Sequence, residues 1–304
     1  MIYTITLNPA FDLHYEMDFF YPEAENYVKK ASRSAGGKGI NVSKALCALG
    51  VENAAIAVLG SENSEDFLKE LEGVNLSVIE TEGRIRENIT IHPKEGKETR
   101  ISLDNFSLSG EILDRVKKAL SGRFDGESTV VFAGRIPKGL NKDEVKAFLN
   151  DIKKTGAKLV LDSNSFDLSD ISELKPFLIK PNEEEIKALF KDCNEDYPLL
   201  AEKLNLAGVE NVMISLGKDG VYFSGSGESF FVKAPEITPV STIGAGDSTI
   251  AGFLAGLEKG YPIKDSVCLA VASGSAACLT EGTSPPMADD IERLSDNLKN
   301  KNLI

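Results

Sequence analysis

Short apolar runs recur along the chain at 2–7, 54–59, 129–133, 158–161, 177–180 and 211–215. They are too short for helices and nearly continuous, as strands covered on both faces are. Between most of them apolar residues recur at helical spacing, as in Glu111–Ser121, Lys142–Lys154 and Tyr197–Ala207. This alternation predicts an α/β fold with a mostly parallel sheet and helices on both faces. A further helix follows Gly39, with Val42, Leu46 and Leu49 on one side and Gly50 closing it. Another follows Asp247, with Ile250, Phe253, Leu254 and Leu257 in register. Two stretches break the pattern. Residues 13–34 mix Tyr15, Met17, Phe19, Tyr27 and Val28 with charges, and 84–104 reads as a hairpin. In that hairpin Ile89 and Ile91 face Ile101 and Leu103 across Pro93-Lys94-Glu95-Gly96. Neither stretch fits a crossover helix. The expectation is a single domain over 1–304, with lid segments at about 13–34 and 84–105 forming a small sheet over the open end of the main one.

Composition changes this picture little. A hydrophobic fraction of 42% and a charged fraction of 27% are ordinary for a soluble globular protein. No apolar run approaches the roughly 18 residues of a membrane span, and the N-terminus enters a strand without a signal-like segment. Cys47, Cys193, Cys268 and Cys278 lie far apart, with neither CxxC nor zinc spacing. Cys47, Cys268 and Cys278 fall in apolar helical sequence and are expected as small core residues, so a reduced, cytoplasmic protein is expected. The formal charge of −13 argues against nucleic acid and anionic membranes as partners. Any anionic ligand then needs a local basic patch, for which Arg33, Lys38, Arg84, Arg86 and Arg100 are candidates.

Chemistry concentrates in three places. In Ser241-Thr242-Ile243-Gly244-Ala245-Gly246-Asp247-Ser248 a Gly-Ala-Gly turn meets a helix start. Glycine lets backbone N–H groups approach a ligand, and a helix N-terminus favours an anion. Asp247 adds a carboxylate beside that nest, which suits phosphoryl transfer to a hydroxyl. The same Asp would serve equally as a charge on the helix dipole. The turn lacks the Gly-Lys-Ser/Thr of a Walker loop and is misplaced for a dinucleotide fingerprint. In Ala35-Gly36-Gly37-Lys38-Gly39-Ile40-Asn41-Val42 the glycines expose the backbone, Lys38 supplies a point charge and Asn41 both a donor and an acceptor. That set suits a sugar bearing hydroxyls and a phosphate; an ordinary glycine turn before a helix would read alike. Asp12 lies just past the first strand, where open α/β sheets bind ligands, and could accept from two sugar hydroxyls or cap local backbone.

Together these pieces resemble the ribokinase-like, PfkB-type carbohydrate kinases, in the branch containing 1-phosphofructokinase and tagatose-6-phosphate kinase. Thr6-Leu7-Asn8-Pro9-Ala10-Phe11-Asp12 is similar to that branch's opening motif, and Gly36-Gly37-Lys38-Gly39-Ile40-Asn41-Val42 to its sugar-phosphate loop. Lys180-Pro181-Asn182 with Glu185 is similar to the Asn-x-x-Glu element, Ser215-Leu216-Gly217-Lys218-Asp219-Gly220 to the nucleotide-side strand and turn, and Gly244–Asp247 to the anion hole and base. The motifs run in family order from residue 4 to 248.

The resemblance implies a three-layer ribokinase-like fold with a β-sheet lid. It implies ATP-dependent phosphorylation of a ketose phosphate, foremost fructose 1-phosphate, with tagatose 6-phosphate and fructose 6-phosphate as alternatives. A sugar-phosphate binder without activity is a more distant one. Asp247 is the implied base, with Gly244, Ala245 and Gly246 forming the anion hole. Asp12, Gly36, Gly37, Lys38, Asn41, Arg86 and Arg135 are the implied sugar-side residues. Lys180, Asn182, Ser215, Gly217, Gly220 and Thr242 are the implied ATP-side residues. Asn182 and Glu185 are linked to Mg²⁺ through water, and a homodimer through the lid is a further implication. Three positions depart from the branch pattern: Ile85 replaces a Thr, Arg135 a small hydroxyl residue and Ser241 an Asp or Asn. His14 and His92 fall in the lid segments and receive no role.

Overall fold

The computed structural model describes residues 1–304 except 72, 105, 124, 192–194 and 302–304, and no side chain is described at 300 and 301. Cys193 lies outside the described residues. The main sheet has nine strands. Seven of them are β1 (Ile2–Thr6), β4 (Asn53–Gly60), β5 (Leu76–Thr81), β8 (Thr129–Ala133), β9 (Lys158–Asp162), β10 (Leu178–Ile179) and β11 (Asn211–Ser215), all parallel to their neighbours in this group. Strands β12 (Gly220–Gly225) and β13 (Glu228–Lys233) complete one edge antiparallel. The order is β13-β12-β11-β10-β9-β8-β1-β4-β5.

Strand alternation explains the continuous apolar runs. Tyr3, Ile5, Val130, Phe132, Leu159 and Leu161 feed one core, while Ile2, Val131, Ala133 and Val160 feed the other. The first core is closed by α2 (Ser64–Lys69), α3 (Glu111–Leu120), α4 (Lys142–Lys154), α5 (Leu168–Leu174), α6 (Glu183–Leu189) and α7 (Tyr197–Leu206). The second is closed by α1 (Lys38–Ala48), α8 (Ala245–Glu258), α9 (Ile263–Ala277) and α10 (Ala288–Lys301). The three-layer reading therefore holds. Of the cysteines expected in the core, Cys268 is buried and Cys278 half-buried, but Cys47 is exposed. It lies on the side of α1 turned away from the buried Val42 and Leu46.

A separate four-stranded sheet, ordered β3-β2-β6-β7, consists of β2 (Ala10–Met17), β3 (Lys30–Gly36), β6 (Arg86–Pro93) and β7 (Thr99–Ser102). It begins earlier than expected: Asp12 is in a strand and not in the loop after β1. Asp12 stands opposite Ser34 on one side and Asn88 on the other. The hairpin is present with a different register. Ile89 opposes Ile101, but Ile91 faces Thr99, and the N–H of Leu103 reaches the Glu87 carbonyl at 3.2 Å. The loop is fixed by β2, whose Met17 carbonyl accepts from Lys94 N–H at 2.9 Å, and this sets the register. With a period of two, one face of the lid carries Asp12, His14, Ser32, Ser34, Asn88 and Thr90, and the other Phe11, Leu13, Ile89 and Ile101.

Candidate active site

The sheet's C-terminal strand ends, the glycine loop before α1, the start of α8 and the polar lid face enclose one region. Asp247 occupies the first turn of α8 and is 6% exposed. Gly244 caps that helix in the left-handed region at φ 77°, so a side chain there would be strained. The Ser241 hydroxyl, at a departure from the branch pattern, accepts from the Ile243 N–H at 3.2 Å and braces the approach to the turn. Asn41 Nδ2 donates to Asp247 Oδ2 at 2.9 Å, joining the two glycine motifs directly.

Beside Asp247 lies a residue that the motifs did not single out. Asp162 ends β9, is 3% exposed and accepts from Lys38 Nζ at 3.0 Å, with Lys180 Nζ at 3.8 Å. Burial pushes the Asp162 carboxyl up, but Lys180 and Lys38 outweigh it and hold it below its ordinary value. Asp247 goes the other way. Burial first, and then the Asp162 charge, push its carboxyl up to about 7 against the pull of Lys38, Asn41 and Lys180. The same rule that picked Asp12, a carboxylate at a strand's C-terminal end, would have found Asp162.

Lys38 also lies 3.9 Å from Glu185. Burial depresses the Lys38 ammonium, but the three carboxylates Asp162, Asp247 and Glu185 raise it overall. Lys180 is buried and reaches the anion turn: a Cβ on Gly246 would lie 3.0 Å from its Nζ. Asn182 caps α6, accepting from Glu185 N–H at 2.8 Å, while Glu185 Oε2 accepts from Asn182 N–H at 2.9 Å. This capping box leaves only Glu185 Oε1 for other work. Ser215 pairs with Asn182 at the end of β11. Gly217, at φ 56°, and the exposed Thr242 complete that side. Gly220 has a structural reason of its own: a Cβ there would stand 2.1 Å from the Val232 carbonyl. A cleft of about 530 Å³ opens beside Asp162, Lys180 and Glu185.

The lid supplies the other end. Asn88 Nδ2 donates to Asp12 Oδ1 at 2.9 Å. Burial raises the Asp12 carboxyl, while Asn88, Arg86, Lys44 and Arg100 pull it back. A Cβ on Gly36 would fall 2.8 Å from Asp12 Oδ2 and 3.2 Å from Asn41 Oδ1, so only glycine lets these two converge. Gly37, at φ 126°, is equally restricted. Arg86 shares this electrostatic neighbourhood with Asp12, the exposed Arg135 and Asp104. Among the other basic candidates, Arg33 bonds Glu70 at 2.8 Å, Arg84 bonds Glu87 at 3.4 Å and Arg100 pairs with Glu98 at 2.7 Å. Ile85 is fully buried and clasped by Asn63 through both its N–H and its carbonyl, so that departure belongs to the core. His14 Nδ1 and His92 Nε2 meet at 2.9 Å, and His92 Nδ1 lies 3.1 Å from Glu98.

This geometry agrees with the comparisons. The model of the pfkB family carbohydrate kinases matches residues 5–290. The chain belongs to the pfkB carbohydrate kinase family. It is 35% identical to the 1-phosphofructokinase of Borreliella burgdorferi over 92% of each chain, and 32% identical to a tagatose-6-phosphate kinase of Staphylococcus epidermidis over 84% of this chain and 85% of that one. In structure it is similar to Escherichia coli phosphofructokinase-2 in complex with substrates and products, with a TM-score of 0.91, 26% identity and coverage of 98% and 99%. That enzyme has also been crystallised as a tetrameric inhibited form. The pfkB chain is accordingly an ATP-dependent sugar kinase. Among the described residues no helix is long and apolar enough to cross a membrane.

Proposed function

We propose that this kinase transfers the γ-phosphoryl group of ATP to a hydroxyl of a ketose phosphate, foremost fructose 1-phosphate, giving fructose 1,6-bisphosphate. The observation that carries this reading is Asp247: a buried carboxylate at a helix N-terminus, poised near neutrality and tied to the sugar loop by Asn41. Asp247 takes the proton of the attacking hydroxyl as the new O–P bond forms. The bond between the γ-phosphorus and the bridging oxygen breaks, and its electron pair leaves on ADP. The N–H groups of Ala245, Gly246 and Asp247 stabilise charge on the moving group, as positioning and electrostatics do in such reactions. Asp12 and Asn41 hold sugar hydroxyls. Arg86 meets the phosphate the sugar already carries, and Arg135 adds a second guanidinium fork beside it. Lys38, expected on the sugar side against the phosphate the sugar already carries, is instead anchored with Lys180 on Asp162, and both face the transferred phosphoryl.

Among the described residues no group of three or more His, Cys, Asp or Glu could hold a metal ion. The single spare oxygen of Glu185 fits a hydrated Mg²⁺ held mainly by the nucleotide, with Asn182 holding that carboxylate in place. The ion would neutralise phosphate charge. A mainly non-catalytic binder is disfavoured, because a sugar-phosphate receptor gains nothing from a carboxylate tuned to a base's range.

Ile101 is exposed on the apolar lid face, Leu103 is exposed just past β7, and Tyr27 and Val28 are exposed in the segment between β2 and β3. We read this face as covered by the lid of a second copy, with the whole chain acting as one catalytic unit. A cytoplasmic location suits a consumer of ATP and phosphorylated sugars. The test is ADP release from Mg-ATP against fructose 1-phosphate, fructose 6-phosphate, tagatose 6-phosphate, free fructose and ribose. Preference for fructose 1-phosphate is expected. Preference for either 6-phosphate would move the acceptor assignment, and no turnover on any of them would overturn the reading.

A further inference from the structure

Asn88 closes the segment that holds the Ile85 departure and Arg86 and was assigned no role there, yet its geometry is that of a recognition group. The parallel register of β2 and β6 sets it directly beside Asp12. Its amide orientation is fixed, because Nδ2 donates to Asp12 Oδ1 at 2.9 Å and a flipped amide would put two acceptors together. The other end, Oδ1, is thereby turned away from Asp12. It is buried and accepts no hydrogen bond among the described residues. Asn41 is in the same condition: Nδ2 is spent on Asp247, and Oδ1 is buried without a donor. An acceptor buried without a donor is destabilising until a ligand or water supplies one. Two of them beside one carboxylate make a cluster of acceptors, and what completes these two must bring O–H or N–H donors. Arg86 lies two residues before Asn88 on the same strand face, about 7 Å along it. A phosphate at Arg86 and a hydroxyl at Asn88 are then spaced as on one sugar phosphate.

We propose that Asn88 binds the acceptor sugar, reading through Oδ1 the ring hydroxyl next to the one that Asp12 holds, and so selects the configuration at that pair of carbons. This rests on the reading of the site as a ketose-phosphate kinase. Asn88 both accepts from the substrate and holds Asp12, and the two roles separate experimentally.

The test compares kcat/KM of the wild type and Asn88→Ala on the preferred sugar phosphate and on its 3-deoxy and 4-deoxy analogues. The wild type is expected to lose at least tenfold on one analogue. Asn88→Ala is expected to lose about 10- to 100-fold on the parent and little more on that analogue, because both changes remove one interaction. Equal losses by the variant on the parent and on both analogues would mean that Asn88 acts only through Asp12, and would overturn the proposal. Should Asn88→Ala not fold, the wild type alone still decides: indifference to both deoxygenations overturns the assignment. A wild type silent on every parent sugar phosphate overturns the kinase reading itself, and the Asn88 assignment with it.

Discussion

Asp12 and Asp247 are two carboxylates lifted by burial, at opposite ends of one site, and their neighbours give them different chemistry. Asp12 stands among cations and an amide donor: Asn88, Arg86, Lys44 and Arg100 all favour its charge. It remains an acceptor, suited to holding hydroxyls. Asp247 faces another carboxylate, Asp162, which compounds the effect of burial and brings it to about 7. It is suited to take a proton and give it back. Burial is the largest push on both carboxyls; what differs is the charge around them, cations at Asp12 and a second carboxylate at Asp247. Lys38 and Lys180 lie against Asp162 and hold its carboxyl below the ordinary value, so the negative charge that helps to raise Asp247 is itself held in place.

The strongest break of this contrast is Asp247→Asn. Turnover should fall by about 10²- to 10⁴-fold, while the anion turn keeps ATP binding near its wild-type value. Near-wild-type turnover would remove Asp247 as the base. The same variant reports on stability. The folded-state carboxyl titrates at about 7 against 3.8 ordinarily, so the native state holds the proton more tightly than the unfolded chain. That contribution is fully present below the ordinary value and is lost as pH rises through the folded one. Asp247→Asn should therefore melt above the wild type at pH 8, with the gap closing toward pH 4.

Lys38→Met sharpens the comparison. It removes a cation that favours charge on both Asp162 and Asp247. The Asp247 carboxyl then moves further up, so the acid limb of kcat/KM shifts to higher pH, and activity at pH 7 falls about tenfold for each pH unit of displacement. Lys38→Arg should restore much of the limb. A limb unmoved in Lys38→Met would mean that the ammonium serves phosphate binding alone.

The uneven legibility of the sequence follows the same division. Gly36, Gly37 and Gly244 are backbone requirements, and glycine shows wherever a close approach or a left-handed turn is needed. The Gly244 turn and the Gly36–Gly37 loop were therefore legible as backbone features, as were strands whose apolar runs are covered on both faces. Asn88 and Lys44 act through register, and nothing local distinguishes them from surface polar residues until β6 and α1 are placed beside β2, whereas Asp162 carries the local signal of a carboxylate ending an apolar strand run. The β12–β13 edge carries a local turn signal of its own. Ser226 and Gly227, at φ 53° and 79°, form the two-residue turn expected between the apolar Val221–Phe223 and Phe230–Val232. The lid register was misread because β2, a strand distant in sequence, fixes where the β6–β7 loop turns.

The smallest effects concern what holds the Asp12 end in place. Two contacts tie the lid to the loop after α9: Lys30 with Glu281 at 2.7 Å, and the Ser34 and Thr283 hydroxyls at 2.6 Å. The ion pair looks stronger on charge, but both its side chains are at least half exposed, and solvent and salt screen such a pair almost completely. The hydroxyl pair is better hidden, with Thr283 buried, and Thr283 Oγ1 would lie 3.6 Å from a Cβ on Gly36, close to Asp12. Thr283→Val should cost about 1 kcal/mol and raise the sugar-phosphate KM with the ATP KM unchanged. Glu281→Gln should leave both constants and the melting temperature near wild type. The reverse ranking would mean that surface charge, and not the buried hydroxyl contact, seats the lid; equal rises in both KM values for Thr283→Val would mean that the lid and the phosphoryl-transfer turn move as one body, and the two aspartates would then have to be treated as a single coupled site.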